Sequence, residues 1–314
     1  MRTCNERIHS LPWKLAGCLR ILAIIALGIH CAVLAVAAEA PEPSRHIVLL
    51  HTNDQHLKFN HLGAMQAGVA RFRRQYTDVF LLDAGDVTIR PVRWSQNRIV
   101  NNAGEYAQHL ETMISAMNAL GYDAFVLGNH ELGYHTTITR DLLRAAEFPI
   151  LGANIRVSTT QFEQPRPYVI LDAADGIRLA VLGLSGGTFE NEGGVVLLDA
   201  FQTVSEYKDL RDTCSVFILL THVGVKDDRR LADQYGGLVD VIIGGHSHTR
   251  IDPPESRNNV LIAQVNPAYT DSQYLGVIRL TLDPDGRLVG KEGEVLEFPQ
   301  EGMSQSRFLS AVDE

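Results

Sequence analysis

Ile47-Val48-Leu49-Leu50-His51-Thr52-Asn53-Asp54-Gln55-His56 passes from four consecutive apolar residues into a polar turn. An apolar run without polar alternation reads as a strand buried on both faces, as a sheet covered by helices requires. The turn behind it offers a carboxylate oxygen from Asp54 and an imidazole nitrogen from His56. Alone, an Asp-x-His pair is a weak sign of a site, because a solvated loop has the same composition.

The arrangement recurs along the chain. Val79-Phe80-Leu81-Leu82 leads into Asp83-Ala84-Gly85-Asp86, and Ala124-Phe125-Val126-Leu127 into Gly128-Asn129-His130-Glu131. Val216-Phe217-Ile218-Leu219-Leu220 leads into Thr221-His222-Val223-Gly224, and Val239-Asp240-Val241-Ile242-Ile243 into Gly244-Gly245-His246-Ser247-His248. Open α/β sheets carry their sites just past the carboxyl ends of the strands, so these clusters are expected on one edge. A carboxylate such as Asp86, with two oxygens and a full charge, is suited to bridge two cations.

Other segments fill in the α/β class. Leu179-Ala180-Val181-Leu182 is a further buried strand. Leu110, Met113, Ile114, Met117 and Leu120 recur at helical spacing, and Gly121 is the expected breaker. Shorter helices are expected at 68–76, 139–147, 202–211 and 227–235. From Val260 to Leu282 the pattern changes, with Ile278, Leu280 and Leu282 alternating with Arg279 and Thr281. Such alternation predicts antiparallel strands with one wet face, turned by Asp283-Pro284-Asp285-Gly286. No repeat or composition break divides the region, and strand–helix alternation places the sheet between helical layers.

Arg2, Arg7, Lys14 and Arg20 precede an apolar run from Ile21 to Ala38 that ends in small residues. Residues 1–38 therefore read as a signal peptide, 39–45 as a flexible lead-in, 46–298 as the folded domain and 299–314 as a tail or short helix. The protein is expected to be periplasmic or secreted. The alternative is an N-terminal membrane anchor, because about 18 apolar residues are near the lower limit for a span; His30 and the small-residue exit favour cleavage, after which no stable membrane insertion is expected. Cleavage removes four basic residues and one acidic one, which takes the formal charge from −9 to −12. An acidic surface of this kind excludes nucleic-acid polymers as partners and leaves a small molecule as the expected ligand. Of four cysteines only Cys214 remains, so no internal disulfide can form.

These clusters, in this order, resemble the calcineurin-like metallophosphoesterases, in particular the catalytic domain of the 5′-nucleotidase branch. The resemblance covers roughly residues 46–297 and includes Gly121-Tyr122-Asp123-Ala124 ahead of Gly128-Asn129-His130-Glu131. It implies a four-layer α/β/β/α sandwich holding two divalent metal ions. One would take Asp54, His56, Asp86 and His248, the other Asp86, Asn129, His222 and His246, with Asp86 as bridge. Members of the family use Mn, Zn, Fe or Co; an imidazole-rich donor set suits such cations better than Mg or Ca, without choosing among them. The implied chemistry is attack on a phosphoester by a metal-activated hydroxide, with His130 as general acid and Asn129 and His130 as substrate-binding groups.

Two departures from the family pattern stand out. Gly133 occupies the place of an Asp that orients the histidine, and Glu131 or His135 are the candidate substitutes. Full-length nucleotidases continue into a second domain that holds the base, whereas this sequence stops at Glu314, where Phe308-Leu309-Ser310-Ala311-Val312 resembles the start of the connecting helix. Arg90, Arg93 and Arg98, close behind Asp86, are candidate oxyanion binders. The expected function is hydrolysis of small phosphate esters, nucleoside monophosphates among them. Two alternatives carry weight: a thiosulfohydrolase-like enzyme of sulfur oxidation, whose relatives depart from Asn-His-Glu at the third cluster, and a non-catalytic metal-binding domain.

Overall fold

The computed structural model describes residues 44–58, 62–88, 103–133, 136–158, 163–188, 194–267 and 273–298. The signal segment 1–38, most of the lead-in, Arg90, Arg93, Arg98, His135 and the tail 299–314 lie outside the described residues.

β1 (Arg45–Thr52), β2 (Asp78–Asp83), β3 (Ala124–Val126) and β4 (Ile150–Leu151) run parallel in one sheet. β13 (Gln273–Leu282) joins β1 antiparallel, and β14 (Leu288–Phe298) joins β13. The second sheet has β7 (Arg178–Leu184), β9 (Val216–Thr221), β10 (Val241–Ile243) and β12 (Val260–Ala263) in parallel. Its edges are the antiparallel strands β6 (Tyr168–Asp172) and β11 (Glu255–Arg257). A separate ribbon pairs β5 (Ile155–Val157) with β8 (Val195–Leu197).

Alternation along the strands sorts the apolar side chains into three layers. On β1, Val48 and Leu50 join Met65 and Phe72 of α1 (Leu62–Gln75) and Tyr106 and Met113 of α2 (Ala103–Leu120). Ile47 and Leu49 point the other way and meet Val181, Ile218 and Ile243 of the second sheet. On that sheet's far side, Phe217, Leu219 and Ile242 pack with Val204 of α5 (Ala200–Glu206) and Leu231 of α6 (Val225–Tyr235). The order is helix, sheet, sheet, helix. Each fully buried Leu, Ile, Val or Phe contributes about 1.5–3 kcal/mol of transfer free energy.

α2 ends at Gly121, whose φ of 66° falls where a side chain would be strained. The Arg73 guanidinium closes that end by donating to Leu120 O at 2.5 Å and Gly121 O at 2.6 Å. Val260–Ala263 meets the expectation of antiparallel pairing on one side, against β11, and corrects it on the other, where it lies parallel to β10. All four of its residues are buried, so they show no wet face. The 139–147 helix is α4 (Thr136–Leu143), and the 202–211 helix is α5 followed by a 3₁₀ turn at Lys208–Thr213. Among the described residues no helix is long and apolar enough to cross a membrane.

Opposite His51 on β1 stands Gly276 of β13. The ring lies so close that a Cβ on Gly276 would come 1.9 Å from its Nε2. Gly276→Ala is expected to cost about 1–3 kcal/mol through overpacking. Urea unfolding measures this, and an unchanged midpoint would show that the ring moves aside without cost.

Candidate metal centre

The carboxyl ends of β1, β2 and β3 in the first sheet, and of β9 and β10 in the second, bring the clusters together. β1 delivers Asp54 and His56, β2 delivers Asp86, and α3 (Asn129–Gly133) begins directly after β3 with Asn129 and His130. The second sheet supplies His222, His246 and His248. The backbone turns sharply at these points: Asp54, His56, Asp86, His246 and His248 have φ of 50°, 47°, 58°, 72° and 49°. A non-glycine residue in this left-handed region costs roughly 1–2 kcal/mol. Such conformations persist only where the surroundings hold them, and they gather at functional sites.

Three sets of donor atoms lie within 4.8 Å of one another: Asp54 with His56 and His248, His56 with Asp86 and His130, and Asp86 with His222 and His246. In the first, His248 Nε2 is 3.2 Å from His56 Nε2 and 3.4 Å from Asp54 Oδ1. In the last, His222 Nε2 stands 3.2 Å from Asp86 Oδ2, and Asn129 Oδ1 lies 2.9 Å from His246 Nδ1. His130 Nε2 is 3.7 Å from Asp86 Oδ2, and this carboxylate is the member that the second and third sets share.

The rings are held in defined tautomers. His56 Nδ1 donates to Thr88 O at 2.7 Å and His222 Nδ1 to Ala84 O at 2.6 Å, because a carbonyl can only accept. In the neutral ring Nε2 then keeps its lone pair and faces the cluster, as metal-ligating imidazoles do. Burial lowers the pKa of His56 to about 3 and of His248 to about 4, keeping both neutral. Burial also opposes charge on His222, yet Asp86 and Asp54 push its pKa up to about 10. Burial works against ionisation of Asp86 too, but His222, His130 and His56 hold its carboxyl well below the usual range. The buried His222 Nε2 makes no well-aligned hydrogen bond among the described residues. These carboxylates demand positive charge at this place, and the His and Asp groups fit a dinuclear metal site.

Glu131 does not orient His130. Its side chain is fully buried, accepting from Asp86 N at 3.0 Å, Gly128 N at 2.8 Å, Thr88 N at 2.9 Å and Thr88 Oγ1 at 2.8 Å. It fixes the turn that presents Asp86. The fit there is close: a Cβ on Gly128 would lie 2.1 Å from Asp86 Oδ1. Asn53 does the same for Asp54, donating to its Oδ2 at 2.7 Å while accepting from Val265 N at 2.9 Å. The buried Gln264 bonds to the turn that carries His246 and His248. The sequence reading missed these supports, although Gln264 stands behind an apolar run just as the ligand clusters do.

Two sheets, three apolar layers and a cluster of imidazoles and carboxylates at their shared edge define an α/β/β/α domain with a candidate metal centre. The calcineurin-like phosphoesterase family model matches residues 47–250, a span containing every donor named above. The trifunctional nucleotide phosphoesterase protein YfkN of Bacillus subtilis is 30% identical over 291 residues, 78% of this chain and 19% of that protein. The 5′-nucleotidase of Homo sapiens is 30% identical over 316 residues, 86% of this chain and 51% of that one. The structure of a 5′-nucleotidase precursor from Thermus thermophilus shares the fold with a TM-score of 0.65 at 23% identity, over 85% of this chain and 58% of that one. The chain belongs to the calcineurin-like phosphoesterases. It spans about half the length of the human protein and a fifth of the Bacillus one.

Glu131→Gln replaces an oxygen with an amide nitrogen that cannot accept, against four converging donors. It is expected to cost about 2–4 kcal/mol of stability, given about 1–3 kcal/mol for each buried group left unpaired. Metal retention should fall with it, as measured by thermal unfolding and metal content. A variant with wild-type values in both would remove Glu131 from the support of Asp86.

Proposed function

We propose that this chain is an exported di-metal phosphoesterase that cleaves small phosphate monoesters, with nucleoside monophosphates as the first substrate class to consider. The observation that carries this reading is the position of Asp86, in reach of His222 on one side and of His56 and His130 on the other. In the assignment we favour, Asp54, His56, Asp86 and His248 hold one divalent cation, while Asp86, Asn129, His222 and His246 hold the second. When bound, the pair would acidify the attacking water and neutralise charge building up on the phosphoryl oxygens.

The chain's own groups do the rest. His130 is part-exposed and its backbone N–H donates to Asp86 Oδ1 at 2.9 Å, which anchors the residue beside the cluster. From there its imidazolium delivers a proton to the departing alkoxide. With Gly133 in the place of the family's orienting carboxylate and Glu131 engaged elsewhere, Asp86 is, among the described residues, a carboxylate within ion-pair reach of this ring. Asn129 is placed to touch the phosphoryl group as well as a cation. The acidic composition supports a small substrate over a polymer, the basic and apolar N-terminal segment supports export, and the names of the relatives support a nucleotide.

In the metal-reconstituted chain, His130→Ala should lower kcat about 10²–10⁴-fold while metal content stays at the wild-type value. The loss should be larger for a nucleoside monophosphate than for a nitrophenyl ester, whose leaving group needs no proton. Equal losses on the two esters would sink the general-acid role. Asp86→Asn should abolish turnover of both, and retained activity there would overturn the shared-ligand assignment.

A further inference from the structure

Gln264 follows β12 and is fully buried, and every polar atom of its side chain is directed at one turn, residues 245–249. Its Nε2 donates to Gly245 O at 2.7 Å, and its Oε1 accepts from Ser247 Oγ at 2.8 Å and Thr249 N at 2.6 Å. That turn carries both His246 and His248, each in a left-handed conformation that costs energy to maintain. His248 stands with Asp54 and His56, whereas His246 stands with Asp86 and His222.

We propose that Gln264 is a positioning residue that couples the two metal positions, by holding the single turn that supplies a histidine to each. The proposal rests on the metal assignment above. Two further contacts extend the coupling. The backbone N–H of His246 donates to both oxygens of Asp54, at 3.2 and 3.0 Å, so the residue serving one position orients the carboxylate serving the other. Ser247 Oγ accepts from Val225 N at 3.0 Å, which extends the network to the start of α6, three residues after His222. A cation that fixes either histidine fixes the turn, and with it the second histidine. Gln264 makes this transmission rigid, and the bridging Asp86 does not replace it because the carboxylate leaves the turn free to move.

The test is a titration of the metal-stripped full chain with Mn²⁺, followed by calorimetry and by metal content after gel filtration. The wild-type chain should take up two ions in one cooperative transition. Gln264→Met, similar in volume but without hydrogen bonds, should weaken binding at both positions about 10–100-fold and split the uptake into two steps. Gln264→Glu, whose neutral acid can reproduce the donor and the acceptors, should restore the single transition. If Gln264→Met does not fold without metal, Ser247→Ala decides the matter from the exposed side of the same network and should show a smaller loss at both positions. Wild-type affinities and a single step in these variants, or a loss confined to one position, would overturn the coupling. A wild-type chain that binds fewer than two ions would overturn the metal assignment and the coupling with it, whereas two uncoupled ions would leave the assignment standing and end the coupling alone.

Discussion

Asp54 and Asp86 are both almost fully buried where the two sheets meet, and no Lys or Arg among the described residues lies within ion-pair distance of either. Charge in such a place is costly unless it is compensated. Imidazoles surround the pair instead of ammonium or guanidinium groups. An imidazole can stay neutral and offer a lone pair, so it leaves room for a cation that a guanidinium would exclude. The remaining features of the site follow from this need: the orientation of each ring, the sharp turns, and the glycines that let backbone approach to within contact of the carboxylates.

The donors come from different sheets, so their spacing depends on how the sheets pack. Ile47, Leu49, Ile218 and Ile243 set the separation of the two sheets, and the polar edge begins a few residues further along the same strands. Hydrogen bonds then cross between the sheets, from His222 to Ala84 O and from Val265 N to Asn53. Glu131, Asn53 and Gln264 fix one turn each. Protein interiors resist small displacements, so a support of this kind holds its ligand more closely than a solvent-exposed loop could.

The chemistry was legible in the sequence because each donor sits directly behind an apolar run, and the end of a buried strand is recognisable without knowing its neighbours. That position marks the polar clusters; the resemblance to the phosphoesterases is what singled out Asp54, His56, Asp86, Asn129, His222, His246 and His248 within them, and the structure brings these side chains together. Glu131 was misread because its role depends on Thr88 and Asp86, more than forty residues earlier, and nothing local distinguishes a buried acceptor from a surface acid. Gln264 does stand behind an apolar run, but nothing local shows that its amide is engaged by residues 245–249. Strands of two to five residues such as Ile150–Leu151 and Tyr168–Asp172 are too short or too exposed to show a period, and Val260–Ala263, antiparallel to β11 but parallel to β10, is buried at every residue, so no alternation marks its neighbours.

In the metal assignment proposed above, the left-handed backbone at Asp54, His56, Asp86, His246 and His248 sets folding stability against metal capacity at the same residues. Glycine would relieve each turn, but it has no side chain to offer an ion. A library screened for heat tolerance in a chelating buffer would therefore drift toward glycine at these places and return robust proteins that have lost their donors. The same screen run with metal present would retain them, because occupancy then compensates for the strain. For this domain the metal content of the medium during selection decides whether stabilised variants remain enzymes.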